Sequence, residues 1–391
     1  MKILFLIFHG FSEHSGISKK IHYQIKGLQE NGHEVHVCTY SIDKRGHRIR
    51  YIDDKILEDF GNGRFASFKK RICYKSIVQY AKATHIDFVY VRSFHNANPF
   101  TIRFFRSLKN ANIKSVIEIP TYPYDQEYVG FSTKERLELE IDKLFRRQLA
   151  RQTDRIVTFT NDLFIFGQKT IRISNGVDFD SIPLKYPSNN SPKEFHLIGV
   201  AEVHYWHGFD RLIHGMGEYY SHPHEVNVYF HIIGGIGPSE MYNSLHAPGF
   251  HELIEKYHIE PYVLFHGHQF GEELNEYFNR CDFAVGSLAR HRSGITTIKT
   301  LKNREYAARG IPFIFSENDE DFNDKPYIIK APADETPINI QEIIDFIKKI
   351  NILPIEIRNS IQHLSWKEQM KKVIKKVYNY NEKYSSKSGM D

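Results

Sequence analysis

One stretch of the chain, His291 to Pro312, carries the residue types best suited to hold an anion. Among the basic residues in it or directly before it are Arg290, Arg292, Lys299 and Lys302. Lys302 and Glu305 are three residues apart, so a helix would place both side chains on one face. A basic group beside a carboxylate suits a nucleotide diphosphate, because the phosphates would meet the cations and the ribose hydroxyls would meet the carboxylate.

The same stretch predicts a helix that ends at Gly310, ahead of a proline and an apolar strand. Three residues of the types that cap helices precede it: Ser293, Thr296 and Thr297. Unpaired backbone N–H groups at a helix start favour negative charge in front of them. An amphipathic helix with solvated charges is the alternative interpretation of these residues.

Two other patterns give weaker indications of chemistry. Gly234 and Gly235 follow a predicted strand, but the full GxGxxG spacing of a dinucleotide site is missing. We therefore expect these glycines to form a turn or to approach phosphates. The acidic run Asn318 to Asp321 is expected to be a solvated loop rather than a metal site.

Histidines and cysteines do not show the spacing of a metal site. The 22 histidines include no HExxH pattern, and core or solvated histidines are favoured over ligands at His204 with His207 and at His266 with His268. The three cysteines stand singly, which fits core positions in a reducing compartment.

Length and charge set the broad class of the protein. At 391 residues the chain is too long for one ordinary core, which predicts two or three domains. The formal net charge of +5 permits acidic partners without requiring nucleic acid. The apolar run Ile3 to Phe8 is too short for a signal peptide or a membrane span. We therefore expect a cytoplasmic protein that does not bind nucleic acid.

Short apolar runs alternate with helical patterns along both halves of the chain, which predicts an α/β architecture with parallel sheets. A polar, proline-containing segment, Tyr186 to Glu194, separates the halves. It predicts one doubly wound domain over residues 1–185 and another over residues 194–360. Ligands of such folds bind beyond the carboxyl ends of the strands.

Five motifs follow one another in the order typical of glycosyltransferase family 4, which the chain resembles. They are Ser15–Ile17 before a helix ending in NGHEV, Ser174–Asp178, Trp206–Ile213, His266–Gly267 and Glu305–Pro312. The resemblance implies the GT-B fold, with two Rossmann-like doubly wound domains facing a central cleft. It also implies that a C-terminal helix over residues 364–385 packs back on the N-terminal domain.

The function implied by the resemblance is retaining sugar transfer from a nucleotide-diphospho-sugar, with UDP favoured, to a saccharide or lipid-linked saccharide. Bacterial surface polysaccharide synthesis is the implied setting. The departing phosphate can accept the proton of the acceptor, so we expect neither a metal nor another cofactor. A nucleotide-sugar epimerase of GT-B fold and a non-catalytic nucleotide-sugar-binding relative remain alternatives.

Position by position, the resemblance matches Glu305 to the second of the family's two glutamates, which holds the donor ribose, and puts Thr297 where the family has the first. The arginine and lysine that family members place after the first strand of the second domain are replaced here by Glu202 and His207. We expect Lys302 and Arg292 to take over the phosphates, which makes these two and Glu305 the predicted catalytic residues. The other predicted donor-binding residues are Gly16, His207, Gly234, Gly267, Lys299 and Thr297.

The acceptor side is the least determined by sequence. Four residues of the N-terminal half are acceptor candidates: His95, Tyr122, Tyr124 and Glu127. A basic, aromatic helix predicted over residues 64–82 could place the protein on the inner face of the cell membrane through anionic lipid. A solvated outer helix face is the alternative.

Overall fold

The computed structural model describes residues 1–12, 15–63, 65–125, 133–186, 191–241 and 248–378. The chain divides into two compact units. Unit 1 is Met1–Ser174 together with the C-terminal helical segment from Ser365, and unit 2 is Asn175–Leu364. The division falls before Asn175 rather than in the polar segment Tyr186–Glu194, because residues 175–186 bond to unit 2. Lys185, for example, donates its N–H to the carbonyl of Arg309 at 2.8 Å.

The sheet of unit 1 is parallel at its centre and antiparallel at both margins. Its strands are β1 (Lys2–Leu6), β2 (Glu34–Ile42), β3 (Arg48–Ile52), β4 (Lys55–Asp59), β5 (Phe88–Arg92), β6 (Lys114–Ile119), β7 (Arg155–Thr158), β8 (Phe164–Ile165) and β9 (Gln168–Arg172). They lie in the order β4-β3-β2-β1-β5-β6-β7-β9-β8. β1 is apolar and buried on both faces, as a central parallel strand must be. The β3–β4 hairpin was not predicted, because its charged residues hide the strand pattern.

Helices cover both faces of this sheet. They are α1 (Gly16–Glu30), α2 (Ala66–Ile72), α3 (Lys75–Ala83), α4 (Pro99–Asn110) and α5 (Thr133–Ala150). The single helix predicted over residues 64–82 is therefore wrong: α2 and α3 are separate. Arg50 donates to the carbonyls of Cys73, at 2.8 Å, and Lys70, at 3.3 Å, so these oxygens bond to a guanidinium instead of a helix N–H. Tyr74 then packs into the core against Phe104.

Unit 2 contains a wholly parallel sheet. Its strands are β10 (Glu194–Val200), β11 (Asn227–Ile233), β12 (Val263–Phe265), β13 (Phe283–Val285), β14 (Phe313–Phe315) and β15 (Ile328–Lys330). The order is β12-β11-β10-β13-β14-β15, so the direction of winding reverses between β10 and β13. Such a reversal opens a crevice at the carboxyl ends of the two strands, which is where open α/β sheets bind ligands.

Helices flank this second sheet as well. They are α6 (Phe209–Tyr220), α7 (Pro238–Met241), α8 (Phe250–Tyr257), α9 (Gly271–Arg280), α10 (Leu301–Arg309), α11 (Ile340–Lys349) and α12 (Pro354–Asn359). Two short 3-10 turns, Tyr205–His207 and Arg290–Ser293, stand at the carboxyl ends of β10 and β13. No helix within the described ranges is both long and apolar enough to cross a bilayer.

The last described helix, α13 (Trp366–Tyr378), belongs to unit 1, where it packs on α1. The contact depends on a glycine: a Cβ at Gly27 would lie 2.7 Å from the backbone carbonyl of Trp366. Residues 379–385 of the predicted C-terminal helix lie outside the described residues.

Three histidines form a hydrogen-bonded row across unit 2. Nδ1 of His196 lies 2.9 Å from Nε2 of His231, and Nδ1 of His231 lies 2.9 Å from Nε2 of His266. The row ends at the hydroxyl of Tyr277, 3.1 Å from His266 Nδ1. Burial, reinforced by the neighbouring histidines and Arg280, lowers the pKa of His231 to about 4.

Acidification should therefore destabilise the protein between about pH 6.5 and pH 4. In this window the unfolded chain binds a proton at His231 that the folded chain does not, so stability is present above pH 6.5 and falls as the pH drops. We expect a loss of about 1–3 kcal/mol, seen as a fall in the urea midpoint. His231→Gln should remove the share of this pH dependence that comes from His231 and so reduce the slope, whereas the exposed His222→Gln should keep the wild-type slope; equal slopes in the two variants would contradict the prediction.

Candidate functional site

The carboxyl ends of β10 and β13 are held side by side. The N–H of Leu288 donates to the carbonyl of His207 at 2.8 Å, which ties the two 3-10 turns together. Gly208 has a φ of 65°, and a Cβ there would lie 2.8 Å from the backbone nitrogen of Ala289. The glycine thus permits the close approach that brings the two turns to one place.

Arg292 fixes the second turn. Its guanidinium donates to both carboxylate oxygens of Asp210, at 2.9 and 2.7 Å, to Glu335 at 3.0 Å and to the carbonyl of Tyr205 at 2.8 Å. The side chain is only 4% exposed. The bonds from Arg292 hold the pKa of Glu335 down at about 2. Arg292, predicted to meet phosphates, is thus occupied by partners within unit 2.

Buried polar atoms without hydrogen-bond partners are concentrated around these turns. Of the ten such side-chain atoms among the described residues, eight belong to unit 2. These eight atoms are Asn175 Oδ1, Ser287 Oγ, Arg290 Nε, His291 Nδ1, Thr300 Oγ1, Lys302 Nζ, Asn303 Oδ1 and Glu317 Oε2. Each unmade bond costs roughly 1–3 kcal/mol, so such a concentration indicates a site built to meet polar groups from outside the chain.

Lys302 and Arg290 give this site its charge. Lys302 stands in the first turn of α10 with its Nζ buried. Burial, assisted by the charge of Arg290 and opposed by that of Glu317, lowers the pKa of Lys302 to about 7. His207 is buried beside them, and burial with the two cations places its pKa far below the usual value. The neutral His207 ring accepts a hydrogen bond from the N–H of His204 at 2.9 Å.

The helix that carries Lys302 begins later than the sequence predicts. α10 starts at Leu301 and has Thr300 as its N-cap residue, so the predicted caps Ser293, Thr296 and Thr297 precede it. Thr297 forms a parallel β-bridge with Asn318, whose N–H donates to the Thr296 carbonyl at 2.7 Å. Bonding to this neighbouring loop thus delays the start of the helix.

Two of the residues predicted to bind the sugar donor, Thr297 and Lys299, lie in the loop before α10. Thr297 is exposed, and its Oγ1 is 3.5 Å from the side-chain nitrogen of Asn318. Lys299 is half-buried, and its carbonyl accepts from the side chain of Asn175 at 2.7 Å. Both residues therefore stand next to the start of α10.

Glu305 lies one turn along α10 from Lys302, and its carboxylate is oriented by Arg309. Arg309 donates from Nε at 3.1 Å and from Nη2 at 2.9 Å, both to Oε1 of Glu305. Arg309 is itself held by Asn275 at 2.8 Å and lies over the ring of Phe278. Glu305 is about one-third exposed and has a second carboxylate oxygen outside these two bonds.

Glycine is required after β11, at Gly234, and after β12, at Gly267, for different structural reasons. Gly234 has a φ of 121°, and a Cβ there would lie 1.9 Å from the carbonyl oxygen of Ala201. Gly234 also donates its N–H to the carbonyl of Gly267 at 2.7 Å. Gly267 has a φ of 64° with open space where a Cβ would stand. Gly234 is thus required by packing, while Gly267 is required only by its backbone conformation.

The acidic run after β14 is not a solvated loop, contrary to the prediction. Asp319 is fully buried and accepts from Arg304 at 2.8 and 3.1 Å, and Asp321 bonds to the same guanidinium. Arg304 also donates to the carbonyl of Asn175 at 2.8 Å. The pattern of acidic residues therefore reflects a buried arginine on α10.

The histidine pairs that were weighed as metal ligands use their ring nitrogens for hydrogen bonds within the chain. His207 bonds to backbone, and His266 belongs to the histidine row. His268 pairs with Glu202, and both side chains are more than half exposed.

The predicted residues of unit 1 are described within that unit alone. Gly16 is the exposed first residue of α1, whose N-cap Ser15 accepts from the N–H of Ser18 at 3.3 Å. Tyr122 is half-buried and contacts the ring of Phe166. Glu127 lies outside the described residues.

Two acceptor candidates of unit 1 are engaged in packing. His95 stacks on Tyr124 with the ring centroids 3.8 Å apart, and burial lowers the pKa of His95 to about 4. The Tyr124 hydroxyl, which is buried, donates to Asp142 at 2.5 Å. Their aromatic faces and polar atoms therefore have partners inside unit 1.

Sequence reasoning missed Glu317 and Ser287. Each follows the carboxyl end of a strand of unit 2 by two residues, Ser287 after β13 and Glu317 after β14. Polar residues directly after buried parallel strands are the signal that could have identified them, since those ends share one edge.

Comparison with known proteins identifies the fold of the chain, through solved structures. No family model matches the chain, and no curated protein matches it. A glycosyltransferase of Rickettsia africae matches over 97% of this chain and 98% of its own at 14% identity and a TM-score of 0.61. The sucrose-phosphate synthase of Thermosynechococcus elongatus matches over 98% and 99% at 14% identity and a TM-score of 0.59.

A third similar structure is the pneumococcal O-GlcNAc transferase, solved in complex with UDP and GlcNAc. It matches over 97% of this chain and 99% of its own at 12% identity and a TM-score of 0.53. These likenesses, with the two parallel-sheet units, show that the chain has the α/β fold of the GT-B glycosyltransferases. The predicted fold class is confirmed.

Alanine at Gly234 should be far more damaging than alanine at Gly267. The Gly234 substitution forces a methyl group into the Ala201 carbonyl at a φ that side chains rarely adopt, which should cost about 3 kcal/mol or more. The Gly267 substitution meets open space and should cost only about 1–2 kcal/mol. Urea unfolding of both variants measures the difference, and equal midpoints would refute this account of the turn.

Proposed function

We propose that this protein is a glycosyltransferase that binds a nucleotide-diphospho-sugar in unit 2 and transfers the sugar with retention to a saccharide or lipid-linked saccharide. One observation carries the proposal. The unpartnered buried donors Arg290 Nε and Lys302 Nζ lie at the strand ends where the sheet reverses its winding, beside the start of α10. A diphosphate supplies the acceptor oxygens and the negative charge that these groups lack.

In this proposal the two cations stabilise the leaving group. Charge develops on the β-phosphate as the glycosidic bond breaks, and preorganised donors in a dry site act strongly on it; one such donor is typically worth about 2.7–4 kcal/mol. Arg290 takes the role first expected of Arg292, because Arg292 is bound to Asp210 and Glu335. The departing phosphate accepts the proton of the acceptor hydroxyl, so the reaction requires no metal.

Glu305 is proposed to receive the ribose hydroxyls. Arg309 holds one carboxylate oxygen of Glu305 and so orients the other. The backbone at Gly267 is proposed to lie near the base, and Thr297 near the transferred sugar. A UDP-sugar is the favoured donor, which is supported by the UDP in the similar pneumococcal transferase. Bacterial surface polysaccharide is the favoured product.

The direct test is incubation with UDP-, GDP- and ADP-sugars, following nucleotide release with and without saccharide acceptors. Acceptor-dependent release of one nucleotide supports the proposal, and the anomeric configuration of the product tests retention. Epimerised sugar without transfer would assign the chain to the epimerases. Failure to bind any nucleotide sugar would point to a relative without this activity.

Lys302→Ala and Glu305→Ala should each reduce kcat/KM by roughly a hundredfold, the usual effect of losing one oriented contact. Lys302→Ala should act mainly on kcat, because it removes a group that meets developing charge. Lys348→Ala and Glu342→Ala, on the exposed face of α11, are matched controls and should keep wild-type rates. Wild-type rates in both site variants, with the fold intact by circular dichroism, would place the site elsewhere.

Peripheral contact with anionic membrane is proposed for unit 1. Phe65 is 83% exposed and Phe68 50%, and exposed Leu137 and Leu144 lie on α5. Phe68 lies on α2, with Phe65 directly before that helix. α2 and α5 adjoin, since Lys134 Nζ of α5 lies 5.5 Å from the centroid of the Phe68 ring. Exposed aromatic and aliphatic side chains among lysines and arginines suit the boundary between lipid headgroups and acyl chains.

Flotation with vesicles tests this contact. The protein should float with vesicles that contain acidic lipid and not with neutral ones, because apolar insertion and attraction to the headgroups act together. Replacing both Phe65 and Phe68 by Ser should weaken binding by about tenfold or more. Leu353→Ser, at an exposed apolar residue of unit 2, should change nothing; equal flotation with neutral and acidic vesicles would exclude an electrostatic membrane contact.

A further inference from the structure

Glu317 is a buried carboxylate whose hydrogen bonding is incomplete. The residue is 2% exposed. Its Oε1 accepts from the side-chain nitrogen of Asn303 at 3.2 Å, while its Oε2 has no partner. Burying a carboxylate in this way is costly unless nearby charge offsets it.

The nearby charge comes from the proposed phosphate site. Ser316 donates its N–H to the carbonyl of Ser287 at 2.9 Å, so the chain segments that lead to Glu317 and to Arg290 run side by side. Asn303, which holds Glu317, is the neighbour of Lys302 in the chain. Burial raises the pKa of Glu317, and the charge of Arg290 opposes that rise. The charge of Glu317 in turn opposes the lowering of the pKa of Lys302 that burial and Arg290 cause.

The charged groups around Glu317 can be named element by element. They are Arg290 in the turn after β13, Lys302 on α10, Lys330 on β15 and Asp319 in its own loop, with the neutral His207 beyond Lys302. Lys330 lies over the ring of Phe315 at 4.1 Å. Among these groups, Arg290 and Lys302 each leave a buried nitrogen without a partner, as Glu317 leaves an oxygen.

Asp319 shows what a structural carboxylate looks like in the same loop. It is fully buried like Glu317, but both of its oxygens accept from Arg304, at 2.8 and 3.1 Å. Glu317 lacks such a partner. A role in holding the loop together therefore explains Asp319 and does not explain Glu317.

We propose that Glu317 is the internal counter-ion of the phosphate site: it offsets the charges of Arg290 and Lys302 when no ligand is bound and opposes a bound diphosphate. This rests on the proposed function. When the phosphates arrive they replace Glu317 as the counter-ions of the two cations, and the carboxylate takes one proton from solvent. Glu317 thereby lowers the affinity of the site for the diphosphate product and favours its release.

The test is calorimetric titration of the wild type and Glu317→Gln with UDP and with inorganic pyrophosphate at pH 7. The variant should bind both ligands at least about tenfold more tightly. Titrations in buffers of different ionisation enthalpy should show fewer protons taken up by the variant. Without ligand its thermal midpoint should be lower than that of the wild type, because the substitution leaves the buried charges of Arg290 and Lys302 without their counter-ion.

Asp319→Asn is the matched control, and it should lower the thermal midpoint while leaving both dissociation constants within about twofold. Equal or weaker pyrophosphate binding by Glu317→Gln would overturn the proposal. Unchanged affinity for UDP with weaker affinity for a UDP-sugar would overturn it too, by making Glu317 a sugar contact. Glu317→Ala gives a second reading of the same constants if the glutamine variant does not fold.

The two proposals fail in different ways. A wild type that binds pyrophosphate but no nucleoside diphosphate contradicts the proposed function, while the comparison of pyrophosphate affinities still decides the role of Glu317. A wild type and variant that both ignore pyrophosphate contradict the counter-ion proposal itself.

Discussion

The ion pair between Arg292 and Asp210 is the interaction on which the arrangement of unit 2 depends. Both side chains are nearly buried, at 4% and 10% exposure, and the guanidinium meets the carboxylate with two parallel bonds. A pair of this kind does little for net stability, because desolvation cancels most of the attraction, but it fixes geometry. Here it anchors the turn after β13 to α6, and so decides where Arg290 stands.

Once that turn is fixed, the remaining polar groups cannot all satisfy one another. Arg290 and Lys302 are cations taken out of water, and burial has lowered the pKa of Lys302 to about 7. One buried carboxylate, Glu317, accompanies them and keeps an oxygen without a partner. Such partly satisfied networks are unfavourable in an ordinary core. Their concentration at one edge of one sheet is therefore better explained by a ligand than by packing.

The fold could be predicted from the sequence because its signals are local and repeated. Buried strands such as β1 and β10 are apolar runs, and the motifs around Gly16 and Glu305 stand in the order of a known fold. What failed was context. The break between α2 and α3 depends on Arg50, which lies 23 residues before Cys73 in the chain and bonds to it only once the chain has folded. The start of α10 depends on pairing with Asn318. Neither partner is visible in a local pattern.

The same distinction applies to the candidate site: residue types can be read from the sequence, but the bonding partners of each residue cannot. The sequence singled out Lys302, Glu305 and the basic residues of the turn as candidates, because residue types are visible. It favoured Arg292 over Arg290, because only the folded chain reveals that Arg292 already has two carboxylate partners. It overlooked Glu317, whose chain neighbours suggested a solvated loop.

The end of β10 explains why the cations stand where they do. The positions after that strand hold Glu202 and His207, and neither can bind a phosphate as a fixed cation: Glu202 pairs with His268, and His207 is kept neutral by burial and by the cations beside it. Positive charge at this crevice must then come from the next strand and from α10. Arg290 and Lys302 supply it, and His207 can lie beside them only because it carries no charge. The neutral His207 after β10 and the cations Arg290 and Lys302 beside it are thus parts of one electrostatic arrangement.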